Sequence, residues 1–82
     1  MNKVEQLSML YNQAHALTTA LQTELVLTYE DRKDHLAWYG DQYPEAKHAF
    51  DDRIKRLRSL VKVAQSRRKR RELALNKSIG VS

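Results

Sequence analysis

Eighty-two residues make one domain at most, and a chain this short buries only a small core. With no cysteine it has neither a disulfide nor a thiolate metal site to reinforce that core. Hydrophobic residues at 41% and charged residues at 30% match a soluble helical domain, and the longest aliphatic run, Leu25-Val26-Leu27, is far too short to span a bilayer.

The first six residues, Met-Asn-Lys-Val-Glu-Gln, lack the apolar stretch of a secretion signal, so the expectation is a cytoplasmic protein with no membrane insertion. Net charge is +5, unevenly spread. Residues 1–43 carry three basic and six acidic groups, whereas residues 44–82 carry twelve and four. Two glycines and one proline favour long helices over a sheet with many turns. The expected fold is therefore all-α, as a single domain spanning residues 1–82.

The spacing predicts a first helix over about 3–39. Asn2 is a capping residue with Glu5 three positions on. Apolar residues recur at Val4, Leu7, Tyr11, Ala14, Leu17, Leu21, Leu25, Tyr29, Leu36 and Tyr39, mostly in steps of three or four. Gly40 supplies the C-terminal cap. A break near Thr28, where Thr28-Tyr29-Glu30-Asp31 resembles a fresh cap, would give three helices instead. The continuous phase of the stripe and the lack of Gly or Pro favour one helix.

Residues 40–44 form the turn, and Pro44 suits the first position of a second helix. That helix is expected over about 44–76, with a flexible tail at 77–82. Its apolar stripe is Phe50, Ile54, Leu57, Val61 and Ala64, and Asp51–Lys55 and Asp52–Arg56 are possible ion pairs one turn apart. A short connection makes the helices antiparallel neighbours, a helical hairpin. Two helices shield each stripe from one side only, so the expected assembly is a homodimer forming a bundle or coiled coil.

From Arg53 to Arg71 there are ten cations and no carboxylate: Arg53, Lys55, Arg56, Arg58, Lys62, Arg67, Arg68, Lys69, Arg70 and Arg71. Helical projection turns Lys55, Arg58, Lys62 and Lys69 away from the stripe but puts Arg68 and Arg71 where the stripe would continue. The apolar face of the second helix is thus expected to end at Ala64. Arg68 and Arg71 would oppose the stretch from Tyr11 to Leu17, which holds no carboxylate. Burying an unpaired guanidinium is costly, so either this end splays into solvent or a partner supplies anions.

Such a run points to nucleic acid or an acidic protein surface as partner. Its bland alternative is a solvated helix face. Arg67-Arg68-Lys69-Arg70-Arg71 also resembles a nuclear localisation signal, a pattern common by chance. Long helices around a single turn do not fit a helix-turn-helix.

A protein interface is the rival reading, with the charge serving solubility only. Its candidates are the N-terminal face of Val4, Leu7, Leu10, Tyr11 and Ala14 and the aromatic tip of Trp38, Tyr39 and Tyr43. An adaptor or inhibitor of the kind carried as accessory genes by phages and mobile elements would act this way. The tip residues, with Phe50, alternatively plug the end of the hairpin.

Catalysis is not expected. His15, His35 and His48 have no metal-ligand spacing, and there is no phosphate-binding glycine loop or nucleophile elbow. No cofactor, metal or small-molecule substrate is implied.

Overall fold

The computed structural model describes residues 2–80. Two helices, α1 (Lys3–Tyr39) and α2 (Pro44–Ser78), lie side by side as an antiparallel hairpin measuring 58 × 19 × 15 Å. The end where the chain turns is called here the tip, and the other the open end.

Asn2 starts α1 as expected. Its Oδ1 accepts the Glu5 N–H at 2.8 Å, and its Nδ2 donates to Glu5 Oε1 at 3.3 Å. Gly40 ends the helix at φ 57°, ψ −131°, and its N–H donates to the Leu36 carbonyl at 2.9 Å. A side chain is disfavoured at that positive φ, although nothing lies near where its Cβ would be. Pro44 opens α2, and the Tyr43 carbonyl accepts from the Ala46 and Lys47 amides.

Helix α1 does not break at Thr28. The Thr28 hydroxyl donates to the Glu24 carbonyl at 2.7 Å, one turn back, and is thereby spent inside the helix instead of capping a new one. Helix α2 runs two residues past the expected end at Asn76, and the Ile79 N–H closes its last turn on the Leu75 carbonyl. The expected flexible tail is thus helical through Ser78, while residues 81–82 lie outside the described residues.

The contact seam repeats in alternating steps of four and three on both helices. On α1 it comprises Leu7, Tyr11, Ala14, Thr18, Leu21, Leu25, Thr28, Arg32 and His35. On α2 it comprises Phe50, Ile54, Leu57, Val61, Ala64, Arg68, Arg71, Leu75 and Ser78, and every one of these residues is buried or half-buried. A repeat averaging 3.5 residues keeps one face of each helix toward the other, as in a coiled coil.

This corrects the expected stripe on α1. Leu17 and Tyr29 are exposed, and the neighbouring Thr18 and Thr28 take the seam at 0% and 3% exposure. Thr18 is tolerable there because its hydroxyl donates to the Ala14 carbonyl at 2.8 Å. Arg32 of the seam binds Asp51 at 2.8 Å and, outside it, Arg53 binds Glu24 at 3.0 Å, both between helices. Asp51 thus reaches across to α1 and not along α2 to Lys55. These pairs are largely solvated and each contributes at most about 1 kcal/mol.

The open end does not splay. Beyond Ala64 the seam continues through half-buried Arg68 and Arg71 to Leu75, opposite half-buried Leu7 and Tyr11. Arginine stems carry enough methylene surface to cover an apolar neighbour while the guanidinium reaches water. The apolar face of α2 is therefore interrupted after Ala64, and it resumes.

Candidate polyanion-binding surface

The ten cations from Arg53 to Arg71 divide by their position around α2. Arg53 is neutralised by Glu24. Arg58 is exposed, away from the seam as the projection put it, and lies over the exposed Tyr29 ring with its guanidinium carbon 5.9 Å from the centroid, a cation–π distance. The other eight, Lys55, Arg56, Lys62, Arg67, Arg68, Lys69, Arg70 and Arg71, make no ion pair among the described residues.

Lys55, Lys62 and Lys69 recur every seven residues and form one line along α2. Arg56 and Arg70 stand on the other side of the outermost face, which carries the small exposed residues Ser59 and Ser66. From Lys55 to Arg71 the helix rises about 24 Å.

Arg68 and Arg71 lie within the seam, as expected, and Arg67 and Arg71 form one wall of a shallow recess of about 250 Å³. Leu10, Gln13, Ala14 and Leu17 of α1 form the rest. A second recess beside it is lined by Arg70, Arg71 and Ala74. Neither has a carboxylate in its lining. A guanidinium beside an apolar floor, with no internal counter-ion, suits an incoming anion that also carries flat or apolar surface.

The charge is also sorted along the rod. Cut across the middle of both helices, the tip half (residues 21–61) holds eight carboxylates and seven cations, while the open half holds eight cations and two carboxylates. The open half is assembled from both ends of the chain.

The expected interface residues are split apart. In the N-terminal set, Ala14 is buried at 6% exposure, Leu7 and Tyr11 are half-buried in the seam, and only Val4 and Leu10 are exposed. At the tip, His35 takes the centre that the aromatic-plug reading left empty. Its ring lies 5.1 Å from Tyr39, 5.6 Å from Phe50 and 6.4 Å from Tyr43, and its Nε2 is buried without a hydrogen-bond partner. Trp38 is not part of the plug, being 81% exposed. The step of three from Arg32 to His35 to Trp38 turns the indole off the seam, so the heptad repeat would have revealed both placements.

Among the described residues no cluster of His, Asp and Glu could hold a metal ion, and no helix is long and apolar enough to cross a membrane. No known protein family, curated protein or solved structure shows significant similarity to this chain.

Proposed function

We propose that the protein binds the phosphate backbone of double-stranded nucleic acid through the outer face and open end of α2, with little dependence on sequence. The carrying observation is the set of eight cations from Lys55 to Arg71 with no carboxylate partner. Unpaired cations are where phosphates gain most, because no internal ion pair has to break and each contact releases counterions.

Their arrangement favours a duplex. Ser59 and Ser66 form a narrow outer ridge with lysines on one side and arginines on the other. A helix entering a major groove about 12 Å wide meets a phosphate strand on either side, and small hydroxyl side chains let it approach closely. With few base-reading side chains on that ridge, the contacts position the protein without specifying sequence.

Retention of a fluorescent 20-base-pair duplex, measured by anisotropy, tests this. Affinity should fall at least 100-fold between about 50 and 200 mM salt. Replacing Lys55, Lys62 and Lys69 by glutamine should flatten the salt slope by about three phosphate contacts with helicity unchanged. A wild-type protein that fails to bind either duplex or single strand at 50 mM salt refutes the nucleic-acid reading. Retention instead of an acidic protein at that salt would move the proposal to the protein partner.

A further inference from the structure

Six exposed apolar side chains fall on a single flank of the hairpin: Leu10, Leu17, Leu27 and Trp38 of α1, and Leu60 and Val63 of α2. Leu10, Leu17, Leu27, Leu60 and Val63 each precede a seam position by one residue, and Trp38 stands three heptads on from Leu17, so the helical repeat aligns them. The recess between Arg67 and Arg71 opens among Leu10 and Leu17 of this same flank. At one end of the flank is an apolar floor with two guanidiniums, and at the other an exposed indole beside Asp34 and Asp41.

We infer that this flank is where a second copy of the chain docks, antiparallel, with Trp38 of each copy seated in the Arg67–Arg71 recess of the other. Charge complementarity selects the occupant. The tip half carries eight carboxylates against seven cations, with Asp34 and Asp41 beside Trp38, and the open half eight cations against two carboxylates, with Arg67 and Arg71 at the recess. A copy laid in the opposite direction brings acid onto base at both ends, whereas a copy laid in the same direction brings base onto base. An indole between guanidiniums gains a cation–π contact that an aliphatic side chain would not.

The distances are consistent with a closed pair. Trp38 stands 24 residues from the middle of the recess on α1, about 36 Å along the helix. Leu27 lies near the midpoint. A two-fold axis there sets α1 against its counterpart, with Leu27 beside Leu27 and both recesses filled at once. Such a self-complementary contact closes on itself and does not grow into a fibre. The arrangement covers Arg67 and Arg71, while the outer ridge of α2 with Lys55, Lys62 and Lys69 remains open to nucleic acid in it.

The test uses the nucleic-acid-free protein. Wild type should sediment at twice the chain mass at tens of micromolar, and dilution should shift the emission of its one tryptophan to the red. Trp38→Ala and Arg67→Glu/Arg71→Glu should each sediment as folded monomers, with folding checked by circular dichroism. Because the chain has no cysteine, single cysteines report direction. Leu27→Cys should cross-link to itself on oxidation, and Asp34→Cys should cross-link to Ala20→Cys but not to itself. A wild-type monomer at every concentration overturns the proposal, as does a dimer that survives Trp38→Ala or one in which Asp34→Cys cross-links to itself.

Discussion

A threonine at the closest approach of two helices is tolerable only if its hydroxyl has somewhere to go. Thr18 is the most buried side chain among the described residues, and its hydroxyl bonds within its own helix. The seam therefore requires the size of threonine and not its polarity. Thr18→Val should change stability by less than about 1 kcal/mol, because the same shape is kept and the carbonyl retains its helical amide. Thr18→Leu should destabilise by about 1–3 kcal/mol through overpacking. Urea midpoints of the two variants check this contrast. His35 is the opposite case, since its Nε2 is buried without a partner. Placing phenylalanine there should keep the aromatic packing, remove the unsatisfied nitrogen and raise stability by about 1 kcal/mol, measurable in the same way. Both sites were hard to see in the sequence. Apolar residues stand beside each threonine, and an apolar tally picks Leu17 and Tyr29. Only the strict 3.5-residue repeat, carried through polar positions, selects Thr18 and Thr28.

At the scale of elements, the turn and both helices were legible because single residues marked them: Asn2 with Glu5, then Gly40, then Pro44. Their side-by-side course to the open end was not. Two arginines in the α2 seam argued for separation, because their charge was weighed and their methylene stems were not. Arg68 and Arg71 are half-buried with Leu75 packed beyond them, so they act as apolar spacers with charged ends. Replacing both by leucine should raise stability by about 1–3 kcal/mol and weaken duplex binding several-fold at 100 mM salt. A thermal melt and an anisotropy titration on one preparation would show the trade. If stability falls instead, the stems are not filling the seam.

For the whole molecule, folding moves the first 20 residues next to the last 21 and gathers the unbalanced positive charge at the open half. The rod then carries its net positive charge on the open half, with a nearly balanced tip half, over a length of 58 Å. In physical terms it is a large electric dipole. A free hairpin nearing a polyanion feels a torque before it feels a contact, and turns its open end forward; this shortens the rotational search that slows most associations. An antiparallel pair carries twice the charge and almost no dipole, so it is drawn to the same target without being turned. Transient electric birefringence at low salt separates the two states: the Trp38→Ala monomer should orient strongly and the wild-type dimer weakly. Self-association would thus set how the protein arrives at its target as well as how many copies arrive.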